Sequence, residues 1–105
     1  MKVIISGGQN YYLTREDWNK LDRLGITEVV NGGAAGADKD GEAYAKKRGI
    51  PVRRFPADWK TYGRGAGPVR NREMAKYADG VALFAGGRGT ASMKREAERA
   101  GITGR

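Results

Sequence analysis

The chain has 105 residues, no cysteine, no histidine, 20 Lys+Arg against 12 Asp+Glu, and a net charge of +8 with a pI near 10.0. That length gives one domain with one modest core, and the missing Cys and His exclude a disulfide scaffold, a thiolate zinc site and Ser-His catalysis. The charge is local: residues 46–72 hold nine Lys/Arg and only Asp58 as an acid, while the remainder is balanced, so the excess marks an anion site or a solvated face.

In chain order, Val3-Ile4-Ile5 predicts a first strand ending at Ser6-Gly7-Gly8-Gln9-Asn10. This apolar run is far too short for a signal peptide or a membrane span, so no membrane partner and a cytoplasmic, reducing location are the default expectations. Thr14-Arg15-Glu16-Asp17 predicts a capped helix carrying Trp18, Leu21 and Leu24 and stopping at Gly25, with Trp18 expected in the core. Ile26 to Val30 is a second strand, followed by Asn31-Gly32-Gly33-Ala34-Ala35-Gly36-Ala37-Asp38. A second helix then starts near Asp38, carries Gly41, Tyr44, Ala45 and Arg48 on one stripe, and ends at Gly49. Ile50 to Phe55 is a third strand, and 56–67 a glycine-bearing loop long enough to suggest function.

Pro68 opens a third helix over 68–78, with Arg70 in its first turn and Arg70, Met74 and Tyr77 on one face. Val81 to Phe84 is a fourth strand. Gly86-Gly87-Arg88-Gly89-Thr90 leads from it into a fourth helix with Thr90, Met93, Ala97 and Ala100 on a stripe. Only Ile102 and Thr103 remain for a fifth strand, which is therefore vestigial or absent. This alternation predicts an α/β fold, a Rossmann-like three-layer α/β/α sandwich around a parallel sheet of four to five strands, forming a single domain over 1–105. Right-handed crossovers bring the three glycine loops to one sheet edge, where such folds bind ligands.

Loop glycines let a backbone approach a ligand, and a helix N-terminus beyond them offers unpaired N–H groups to a phosphate. Neither a dinucleotide fingerprint nor a Walker A sequence is present, so a phosphate-containing ligand is supported and ATP hydrolysis is not. The candidate ligand residues are Ser6, Gly7, Gly8, Gln9, Gly32, Gly33, Ala34, Gly36, Ala37, Asp38, Trp59, Arg70, Asn71, Met74, Gly86, Gly87, Arg88, Gly89 and Thr90. Arg70 would grip a phosphate bidentately or be structural. Asn71 would read a ribose or base edge, or cap. Asp38 would accept from ribose hydroxyls, with helix capping the stronger alternative. Trp59, Tyr11 and Tyr12 would stack on a base, though core or loop packing is preferred for Trp59.

Gly86-Gly87-Arg88-Gly89-Thr90 resembles the Gly-Gly-x-Gly-Thr motif of the SLOG superfamily, which includes Lonely Guy enzymes, molybdenum-cofactor carriers and DprA. Gly32 to Asp38, Phe55-Pro56-Ala57-Asp58-Trp59 and Gly67-Pro68-Val69-Arg70-Asn71-Arg72-Glu73-Met74 are similar to signatures of its small YspA-like (cpYpsA-related) branch, common in bacteria and phages. The resemblance spans roughly residues 2–102. It implies strand order 3-2-1-4-5, a pocket for a nucleotide or nucleotide-derived ligand such as ADP-ribose, and a homo-oligomer.

Lonely Guy enzymes hydrolyse the N-glycosidic bond of nucleoside monophosphates, which implies an Arg and a Glu three residues after the motif Thr. That place is Met93 here, and a thioether does no acid-base work. If the chain is an enzyme, Arg70 and Glu73 are the candidates; catalysis is not favoured, and no metal or cofactor is expected. The favoured reading is a sensor or sequestering module for a small phosphorylated ligand. The alternatives are a nucleoside monophosphate phosphoribohydrolase and DprA-like single-stranded nucleic-acid binding, the latter possible but not favoured.

Overall fold

In the computed structural model, which describes residues 1–33 and 36–104, Val3, Ile4 and Ile5 are wholly buried at the centre of β1 (Lys2–Ser6). A continuous apolar run of this kind is what a parallel strand covered on both faces requires. β1 pairs in parallel with β2 (Glu28–Asn31) on one side and β4 (Gly80–Leu83) on the other. β3 (Val52–Arg54) flanks β2, β5 (Thr103–Gly104) flanks β4, and the order is β3-β2-β1-β4-β5. The doubly wound α/β architecture is thus the one the alternation predicts. The fifth strand is vestigial, as two residues allow.

Strand alternation divides the core. Val3, Ile5 and Val29 face α1 (Arg15–Asp22) and α2 (Ala37–Arg48), where they meet Leu21, Tyr44 and Ala45. Ile4, Val30 and Val81 face α4 (Ala66–Tyr77) and α5 (Arg88–Ala100), where they meet Met74, Ala75, Met93 and Ala97. The chain builds outward from β1 to β3 on one side, then crosses to β4 on the other. The point of reversal lies between β1 and β4.

Local chemistry sets the boundaries. Thr14 and Asp17 form a reciprocal capping box at α1, and Gly49 and Gly101 take left-handed conformations that stop α2 and α5. Segment 56–67 differs from the expected plain loop. Asp58 caps a short α3 (Trp59–Tyr62) by accepting from the Thr61 amide at 3.1 Å, and a 3-10 turn (Gly63–Gly65) leads straight into α4. α4 therefore begins at Ala66 and not at Pro68, which occupies the third position, where an amide N–H has no acceptor within the helix anyway. Arg70 is the fifth residue of α4, beyond its first turn. β3 keeps only three of its six expected residues, all exposed, because it is an edge strand bordered by Pro51 and Pro56.

Among the described residues no helix is long and apolar enough to cross a membrane.

Candidate functional site

The loops that follow β1, β2 and β4 meet at one edge of the sheet. The Gly8 amide donates to Ala85 O at 2.8 Å, and Gly8 O accepts from the Ala37 amide at 3.2 Å and the Tyr11 amide at 3.1 Å. Gly36, which has φ +72° and whose Cβ would fall on the Gly8 and Gln9 backbone, has to be glycine on both counts. Ala34 lies outside the described residues. Ser6 ends β1 beside Leu83, and Gln9 is exposed just beyond it.

Two helices start at this edge without a side-chain cap. The residues preceding them are Gly36 for α2 and Gly87 for α5. In α5 the first intrahelical bond runs from the Ala91 amide to Gly87 O at 3.1 Å, so the amides of Arg88, Gly89 and Thr90 have no acceptor within the helix. Gly86, Gly87, Arg88 and Gly89 are exposed and Thr90 is half-buried. A first turn of this kind carries partial positive charge and suits an anionic oxygen.

A polar lattice fixes the second loop. Asn31 at the end of β2 is fully buried, its Oδ1 accepting from the Gly33 amide at 3.0 Å and its Nδ2 donating to Asp38 O at 3.1 Å. Asp38 is 5% exposed, and its carboxylate accepts from the Gly32 amide at 3.1 Å. Arg70 reaches the same loop from α4: Nη1 donates to Gly32 O at 3.2 Å and to Phe55 O at 3.5 Å, and Nε donates to Asn71 Oδ1 at 2.9 Å. Asn71 in turn donates to Ser92 Oγ of α5 at 3.1 Å. Burial lowers the Arg70 pKa, and the nearby Asp38 charge opposes that shift.

These contacts show what each candidate touches within the chain. Arg70 braces backbone carbonyls, and both polar atoms of the Asn71 amide are engaged inside the protein. Met74, 2% exposed, is a core side chain of the α4/α5 layer and is no part of the edge. Trp59 is 62% exposed with its ring end against Gly67, so of the two packing alternatives expected for it the core one does not hold and the loop one does. Trp18 is half-buried, its ring perpendicular to that of Tyr44. Tyr11 stacks on Phe84 and donates to Asp17 at 2.6 Å, whereas Tyr12 is exposed. Met93 is wholly buried and Glu73 exposed. Asn31 and Ser92 escaped the sequence reading. An Asn-Gly-Gly run after a strand does signal a side chain bonding its own backbone two residues on, which is what Asn31 does.

Fold and edge together define a Rossmann-like protein whose glycine loops converge at the switch point of a parallel sheet. More narrowly, the profile of the YspA, cpYpsA-related SLOG family matches residues 1–62, and the chain belongs to that family. It is also similar to the Gene 61 protein of Mycobacterium phage D29, with 42% identity over 96% of this chain and 91% of the phage protein. The phage alignment reaches well beyond the profile match, into the half of the chain that carries Arg70 and the α5 loop.

Proposed function

We propose that this protein binds a nucleotide or nucleotide-derived phosphorylated ligand, ADP-ribose-like or a nucleotide signal, and acts as a sensor or sequestering module. The observation that carries this reading is the uncapped first turn of α5, where Arg88, Gly89 and Thr90 offer amides beside the joined loops of Gly8 and Gly36. Family membership supports a nucleotide-related role. The phosphate sits at Gly87–Thr90 with Arg88 as its mobile cation, and the ribose and base lie toward Gly8, Gln9 and Gly33. Ser6, Gly7, Gly32, Ala37 and Asp38 shape this floor. Arg70 and Asn71 hold it from below.

Phosphoribohydrolase activity is the weaker reading. Met93 lies in the core, and the remaining candidate, Glu73, is an exposed helix residue. Single-stranded nucleic-acid binding gains from one observation: Trp59 and Tyr62 are 62% and 50% exposed on one turn, with Lys60 and Arg64 beside them. Self-association belongs to the same proposal, because β5 covers only two residues of the outer edge of β4.

A thermal-shift series with AMP, ADP-ribose and inorganic phosphate tests the main reading. A ligand at 100 times its Kd stabilises by about 2.7 kcal/mol, a rise in Tm of roughly 10–20 °C for a domain of this size. No rise with any nucleotide would sink the reading. Release of free base from AMP would favour the hydrolase, and steeply salt-dependent capture of oligo-dT would favour the nucleic-acid reading.

A further inference from the structure

A concavity of about 540 Å3 runs along the groove between α1 and α2, lined by none of the loop glycines. It is a groove open to solvent, with Thr14, Arg15, Asn19, Ala43 and Arg48 exposed along it. On the other face of the sheet α4 and α5 are joined by Met74, Ala75, Met93 and Ala97. Between α1 and α2, Ala43 faces the gap with only a methyl group, and the hollow remains.

Trp18 forms a fixed plate in this hollow. Its ring stands at 89° to that of Tyr44 with centroids 5.2 Å apart, and the Arg48 guanidinium lies 5.1 Å from its ring centroid. Arg48 is itself held by Asp22 through two hydrogen bonds of 3.0 and 3.1 Å, so this cation already has its counter-charge. Leu13 adds an apolar end wall, and its amide donates to Asp40 Oδ2 at 2.9 Å. Arg15, at the rim, makes no ion pair among the described residues.

We propose that this hollow is a second ligand site, one that takes a flat aromatic molecule bearing a single negative charge. The aromatic body packs between Trp18 and Ala43, and the anionic group meets Arg15. Asp40 disfavours a second negative charge, which separates this ligand from the phosphate of the glycine edge. The site is independent of the nucleotide reading.

The chain has two tryptophans, so Trp59→Phe leaves Trp18 as the sole indole reporter. The probe is 8-anilinonaphthalene-1-sulfonate, an aromatic monoanion, and the signal is energy transfer from Trp18. Saturable one-to-one transfer is expected, weakened at least about 5-fold by Ala43→Leu, which fills the hollow, and by Arg15→Ala, which removes the charge. 2-Naphthoate should displace the probe, and acetate and inorganic phosphate should not. Absent or non-saturating transfer, transfer unchanged in both variants, or displacement by phosphate would each overturn the proposal. The nucleotide-induced rise in Tm should be unaffected by Ala43→Leu, so failure of either site reads out separately.

Discussion

Arg70 Nη1 donates to the Gly32 carbonyl at 3.2 Å, and the two residues are so close that a Cβ on Gly32 would fall on the guanidinium. The contact ties α4 to the second glycine loop across 38 residues of sequence. Gly32→Ala should therefore push the brace aside and destabilise by about 1–3 kcal/mol, measured by urea unfolding. An alanine variant as stable as the parent would show that the brace is not tight.

Arg70→Ala strands three acceptors: Gly32 O, Phe55 O and Asn71 Oδ1. A loss of about 1 kcal/mol is expected from these part-buried groups losing their donor, before any ligand is added. Arg88→Ala is the cleaner probe of the anion site, because Arg88 is exposed and makes no ion pair among the described residues. Its apo Tm should match the parent while its affinity for nucleotide falls.

Met93→Glu restores the carboxylate that the Lonely Guy pattern places there, but Met93 is 0% exposed among Ile4, Val30 and Met74. An uncompensated buried charge costs about 3–5 kcal/mol, so the variant should be severely destabilised and release no base from AMP. A stable, active Met93→Glu protein would reopen the enzymatic reading.

Tyr44 supplies a pH signature. Burial, and secondly the hydrogen bond it donates to Asp22 at 2.7 Å, push its pKa from 10.0 up to about 12. The folded state holds this proton more tightly than the unfolded chain. Its contribution is thus complete below pH 10 and lost as pH rises from about 10 to 12. Denaturant melts across that window should show a stability loss that is smaller in Tyr44→Phe, which keeps the part due to Tyr11 and Tyr77, whose pKa values are also raised. Equal losses in both proteins would place the alkaline transition elsewhere.

The layers and the convergence of the loops were legible because they follow from short-range signals. Val3-Ile4-Ile5 can only be a two-face-buried strand in a chain this small, and Thr14 with Asp17 announces its helix. The meeting of the loops was legible and the contacts of the residues beside them were not. Arg70 and Asn71 read as ligand contacts or as structural side chains, because a polar residue near a loop looks alike whether its partner is a phosphate or a carbonyl from another strand. Trp59 read as core or loop packing because its size favours burial. Asp58, capping a one-turn helix, instead fixes that segment at the surface. The hollow beside Trp18 left no trace in the sequence, since its lining comes from two helices separated in the chain.

We propose that a phosphorylated nucleotide is held at the first turn of α5 beside the Gly8 and Gly36 loops, and titrating AMP or ADP-ribose into 15N-labelled protein while following backbone amide shifts reports on that contact. The largest, saturable changes are expected at Gly8, Gly33, Gly36 and the amides of Gly87 to Thr90, with the α1/α2 hollow silent. Shifts confined to that hollow or to the Trp59–Tyr62 turn, or no shifts at all, would contradict it.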